Sequence, residues 1–217
     1  MTKRVFFKCW LLLAMGMATV VFNSCSKEKD DKGEVVDKKD TSNPESVLIN
    51  NVRWATCNVG APGKFVAKPE DSGMFYQWNR PEAWETTGEI ADWDNSISSG
   101  SIWEATNDPS PVGYRMPNKD EIYSLCDVNK VSSKWVTENG VHGRKFTDKA
   151  TGESVFLPAV GYRDKEGVLS GGELFGFYWS GSLNESSDGY NLNFREDDAS
   201  RGYSNRSYGL SIRCVAE

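Results

Sequence analysis

The stretch GFYWSGSLNESSDGYNLNFREDDASRGYSNRSYGLSIRCVAE, Gly176 to Glu217, decides how this chain is read. Tyr178, Trp179, Tyr190, Leu192, Phe194, Leu210 and Ile212 have the apolar bulk that buries. Between them Asn184, Ser187, Asp188, Asn191, Asn193, Asp197, Arg201, Asn205 and Arg206 hydrogen-bond and tolerate turns. From Tyr190 to Phe194 the alternation is strict. A period of two turns Tyr190, Leu192 and Phe194 one way and Asn191, Asn193 and Arg195 the other. The pattern predicts an antiparallel sheet with one face on a core and a polar face outward.

The chain has 217 residues, with hydrophobic content of 38% and aromatic content of 12%. That supply suits one domain with a full core plus segments that do not belong to it. Lys and Arg number 25 against 31 Asp and Glu, a net charge of -6. Lys3, Arg4 and Lys8 fall in residues 1–24, which hold no acid, so losing that segment leaves 22 bases against 31 acids, or -9. No basic stripe stands out, and so acidic a chain has no electrostatic reason to hold phosphate backbones. Nucleic acid is not expected as a partner.

The basic residues at the amino end precede an apolar run from Cys9 to Phe22, then Asn23, Ser24 and Cys25. This is the layout of a secretory signal, too short and wrongly flanked for a spanning helix. It resembles a bacterial lipoprotein signal, which implies acylation of Cys25 and a membrane partnership through the lipid. Phe22 to Ser24 depart from the commonest residues before such a Cys and match the looser signals of Bacteroidetes. SKEKDDKGEVVDKKDTSNPES, Ser26 to Ser46, cannot bury enough surface to offset its ordering entropy and reads as a disordered tether. Its charged start, Lys27 to Asp31, resembles the export tag that sends such lipoproteins to the outer leaflet of the outer membrane. The expected organisation is a signal peptide over 1–24, an acylated Cys and tether over 25–46, and one folded domain over 47–217.

Within that domain VLINNVRWATCNVGAPG and SGMFYQW read as strands bounded by turn residues. Trp84, Trp93 and Trp103 punctuate a long irregular stretch and are expected to pin it to the body. In GYRMPNKDEIYSLCDV, Asn118 followed by Glu121 is a reciprocal capping pair, and Ile122, Leu125 and Cys126 share a face of the helix it starts. Gly-rich turns at Asn139 to Gly140, Gly167, and Gly171 to Gly172 then divide short strands and hairpins.

WATCNVGAPG, SGMFYQW, GYRMPNKDEIYSL, FLPAVGYRD, GFYWSGS and GLSIRCV, in that order, resemble the Fibrobacter succinogenes major paralogous domain of Bacteroidetes surface lipoproteins. That family is similar in turn to formylglycine-generating enzymes and C-type lectin-like folds. The resemblance implies an α+β, C-type lectin-like domain with short antiparallel strands, one or two helices and long loops, its first and last strands paired. The carboxyl end also resembles the variable region of retroelement-diversified proteins, although Glu185 and Glu196 fit adenine-directed mutation poorly. In an exported protein three remaining thiols suggest one bridge and one leftover. The implied strand pairing brings Cys57 near Cys214, while Cys126 with Cys214 would match the bridge of true C-type lectins.

An enzyme of the related oxygen-using kind needs paired cysteines or a histidine cluster. The sole His is His142, and Cys57, Cys126 and Cys214 are widely spaced. Asp92 and Asp94, and Glu196 to Asp198, lack a calcium-loop spacing. No cofactor, no metal and no catalysis are expected. What remains is a binding module whose ligand, a glycan or a protein at the cell surface, meets a rigid polar and aromatic face. Asn184, Asp188, Asn191, Asn193, Arg195, Arg201, Tyr203, Asn205, Arg206 and Tyr208 are the candidates for that face. A subunit of a surface or fimbrial assembly is the alternative.

Overall fold

A computed structural model describes residues 46–217. The expected leader, the expected acylation at Cys25 and nearly all of the expected tether fall outside the described residues. In chain order the elements are β1 Ser46–Ile49, β2 Val52–Ala55, β3 Phe75–Gln77, β4 Ala83–Trp84 and β5 Tyr114–Arg115, then α1 Lys119–Ser124. There follow β6 Val131–Glu138, β7 Val141–Asp148, β8 Ser154–Pro158, β9 Tyr162–Arg163, β10 Leu169–Ser170, β11 Gly176–Glu185, β12 Asp188–Phe194, β13 Ala199–Asn205, β14 Gly209–Leu210 and β15 Val215–Ala216.

These strands form four small antiparallel sheets, ordered β1-β2-β15-β5, β10-β9-β14-β3-β4, β11-β12-β13 and β6-β7-β8. The expected α+β, C-type lectin-like body is therefore corrected: the described residues are nearly all β, with one short helix. Gly, Asn and Pro interrupt the chain so often that only Lys119–Ser124 keeps a helical run, and six residues cannot form the wall of a layer. That helix does begin at Asn118, whose side chain accepts from the Glu121 N–H while Glu121 caps the Asn118 N–H. Ile122 and Leu125 are buried beneath it. The last strand, β15, pairs with β2 through Val215 and Trp54.

Two apolar clusters meet at β11. Tyr178 belongs to the first, with Trp54, Ile122, Phe146, Leu192 and Phe194. Its neighbour Trp179 belongs to the second, with Tyr76, Trp78, Trp103, Leu210 and Ile212. Successive strand residues point to opposite faces, so β11 is buried on both sides at this point. Phe177, Tyr178 and Trp179 in a row are the sequence of a strand between two cores. Buried tryptophans find acceptors across the second cluster: Trp179 donates to the Tyr76 carbonyl at 2.8 Å and Trp78 to the Ser180 carbonyl at 3.0 Å.

Trp103 packs on Trp78, and Trp84, paired with Phe75 of β3, packs on Trp93, which seats the long stretch between β3 and β5. Arginines complete the attachment. Arg163 is 1% exposed and donates to the carbonyls of Glu85, Thr87, Gly88 and Gly167 at 2.8 to 3.0 Å.

Candidate functional site

The sheet β11-β12-β13 carries most of the residues the sequence singles out, and its register sorts them. Leu192 pairs with Tyr178 and Arg201, and Tyr190 with Tyr203, so these share the face that rests on the first cluster and α1. Asn193 pairs with Phe177 and Ser200, and Asn191 with Trp179 and Gly202, on the opposite face.

Two candidates are corrected outright. Asn191 is 0% exposed, because the second cluster covers the sheet face at Trp179; its amide donates to Ser204 Oγ at 2.8 Å. Arg206 is 3% exposed, lies over the Trp78 ring, and donates to the carbonyls of Ser186 and Ser99 and to Ser98 Oγ. Both hold the fold and present nothing to a ligand. Asn205 is half-buried and spends its Oδ1 on the Ser207 N–H and hydroxyl, closing a turn. Asn184 and Asp188 sit half-buried at the β11-β12 hairpin end. Arg201 and Tyr203 are exposed on β13. Tyr208 stacks parallel on Tyr162.

The remaining two, Asn193 and Arg195, open into a cavity of about 240 Å³. Phe175, Phe177 and Phe194 form its apolar walls, and Asp198 and Ser200 complete its polar rim. Among the described residues the Arg195 guanidinium makes no hydrogen bond or ion pair, so its donors are open to a guest. The Asn193 amide makes only a long 3.4 Å contact with Asn191 Oδ1. Ser200 Oγ donates to Asp198, and that bond holds the carboxyl below the usual range, ionised at neutral pH. Beyond the cavity the rings continue: Phe175 meets Phe177, Phe177 meets Tyr162 edge-on at 4.8 Å, and Tyr162 meets Tyr208.

The rim is held in place. Arg144 of β7, 7% exposed, donates to the carbonyls of Arg195 at 2.7 Å and Glu196 at 3.2 Å, and to Ser133 Oγ. Phe194 can form a wall because Gly176 lies opposite; a Cβ there would come within 2.0 Å of its ring. A larger cavity of about 470 Å³ lies beside Asn50 and Asp148; the Asp148 carboxylate takes the N–H groups of Asn50, Ala150 and Thr151, and no aromatic ring lines it.

No family model, curated protein or solved structure matches this chain.

The thiols present no nucleophile. Cys57, Cys126 and Cys214 are free, so neither Cys57–Cys214 nor Cys126–Cys214 is bridged. Cys214 Sγ faces Ser110 Oγ at 3.0 Å, on the second cluster, while Cys126 packs against the first. Burial raises all three pKa values, Cys126 to about 11 and Cys214 to about 12, which favours the unreactive protonated form. His142 stacks on Trp135 in the β6-β7 hairpin and meets Thr137 Oγ1 at 3.0 Å. Among the described residues no three His, Cys, Asp or Glu side chains gather as a metal site, and no helix is long and apolar enough to cross a membrane.

Phe175, Phe177, Tyr162 and Ser200 are not among the candidates that the sequence offers, and Asp198 enters there only within a carboxylate run without calcium spacing. The signal was there in ELFGFYWS: Phe175 and Phe177 are two apart, and so point to one side of a strand.

Proposed function

We propose that the folded domain is a ligand-binding module that takes a glycan in the cavity between Phe177 and Asn193, and that a lipid on Cys25 holds it at the cell exterior. One observation carries the reading: apolar rings and unspent planar polar side chains converge on one cavity, on a rim fixed from below. Sugar rings offer C–H faces that pack on aromatic rings and hydroxyls that pair with Asn, Asp and Arg. A rim fixed before the ligand arrives loses little side-chain entropy on binding. The ring contacts running from Phe175 to Tyr208 extend the aromatic surface beside the cavity. The lipoprotein-like leader and charged tether fit a module that works at a surface.

A glycan array probed with the full chain tests this. Phe177→Ala and Asn193→Ala should each weaken capture of any bound oligosaccharide by tenfold or more, while Asn184→Ala leaves it unchanged. Equal capture by all three variants would remove the cavity from the account. The second reading, a subunit of a surface assembly, draws on a different feature, the unpaired outer side of β13.

A further inference from the structure

Strand β13 ends its sheet. Beyond its two ends, Arg195 N–H bonds the Asp198 carbonyl at 2.9 Å and Arg206 N–H bonds the Ser187 carbonyl at 2.8 Å. Asp198 and Arg206 thus turn their backbone toward β12. The register between these points is unbroken from Ala199 to Asn205. Backbone direction alternates along an antiparallel ladder, so Ser200, Gly202 and Ser204 bond β12 while the N–H and C=O groups of Arg201 and Tyr203 point outward. Among the described residues those outward groups have no partner. Tyr203 is 65% exposed, and the Arg201 guanidinium has no hydrogen bond or ion pair, only the Tyr123 ring beneath it at 5.3 Å.

We propose that this edge pairs with the same edge of a second copy of the chain. Ser200-Arg201-Gly202-Tyr203-Ser204 complements itself about Gly202. An antiparallel pairing centred there sets Arg201 opposite Tyr203 of the other copy, twice, with outward groups facing outward groups. Each such pair exchanges two backbone hydrogen bonds. Directly opposed side chains share a face, so each guanidinium meets the other copy's phenol ring, a cation–π pair. Glycine at the centre lets the two backbones approach. The two-fold axis stands perpendicular to the joined six-stranded sheet, so both Phe177 cavities open on the same side. If that cavity binds glycans, the pair engages a polymeric one with avidity. An edge contact of this size makes a weak, concentration-dependent dimer.

Sedimentation of the full chain, with Cys25→Ser to keep lipid off, reads the outcome. The weight-average mass should climb from one chain toward two between about 1 and 500 µM. Tyr203→Pro is the sharpest variant: it removes an outward N–H that β12 does not use, so the fold and its thermal midpoint persist while the mass stays at one chain. Arg201→Glu should do the same, whereas Ser204→Pro, which breaks an inward bond, should unfold the sheet. A mass of one chain across the whole range would overturn the pairing, as would a dimer that survives both Tyr203→Pro and Arg201→Glu. Glycan capture at low protein concentration reports on the cavity independently of either result.

Discussion

The guanidinium of Arg144, on β7, holds the carbonyl of Arg195 at 2.7 Å, fifty-one positions along the chain. It belongs to a set. Arg144, Arg163, Arg206 and Arg213 are all buried, and all four donate mainly to backbone carbonyls of distant segments. Among the described residues none pairs with a carboxylate. A domain with short strands and long connections leaves many carbonyls without ladder partners, and a five-donor fork satisfies several at once.

Replacing Arg144 by Ala should therefore release the turn between β12 and β13. Two charge-assisted bonds to carbonyls are lost, at roughly 2 to 3 kcal/mol in all. Urea unfolding should show that loss, and hydrogen exchange should quicken at residues 195–199 more than elsewhere. Equal protection in variant and parent would show that Arg144 does not hold the rim.

Arg163→Lys keeps the charge and removes the fork. One ammonium cannot reach the four carbonyls that Arg163 spans, so the strap from Glu85 to Gly88 should loosen. Limited proteolysis should cut the variant between β4 and β5 under conditions that leave the parent intact.

Arg206→Ala should act on stability. The Ser99, Ser98 and Ser186 oxygens lose their donor and Trp78 loses the cation on its ring, at a cost of about 3 kcal/mol. A thermal midpoint unchanged by this substitution would return Arg206 to the list of surface residues.

Glu121 gives a pH signature. Burial pushes its carboxyl up, but the two-pronged contact with Arg115 and the Asn118 N–H outweigh burial, and its pKa lies below the ordinary 4.5. A depressed carboxyl stabilises the fold fully above its unfolded value and loses that contribution as pH falls through the folded one. Glu121→Gln should cost about 1 kcal/mol at pH 7. Arg115 is 42% exposed, so solvent screening limits the ion-pair share. The gap in thermal midpoint between variant and parent should close as pH drops below 4.5; a constant gap would point to packing instead.

How much of this was legible in the sequence follows from which signals are local. The capping pair at Asn118 and Glu121 lies within four residues and was readable. So was the burial of Tyr178, Leu192 and Phe194, because alternation fixes faces. The helix content was not: a resemblance supplied it, and the glycine-broken chain did not. Alternation sets Asn191 opposite Leu192, which faces it outward only if the sheet has a single core; Phe177, Tyr178 and Trp179 in succession imply cores on both sides. The arginines were opaque. Nothing near Arg206 distinguishes it from exposed Arg201, since its acceptors come from Ser98, Ser99 and Ser186, two separate stretches that meet only when folded.

The most direct test of the binding account is a two-dimensional amide NMR titration of the full chain, Cys25→Ser, with an oligosaccharide panel. The account predicts, for at least one oligosaccharide, shift changes confined to residues 175–177 and 193–200, with fading effects toward Tyr162 and Tyr208. Changes centred on the Asn184 to Asp188 hairpin, or no change with any oligosaccharide, would contradict it.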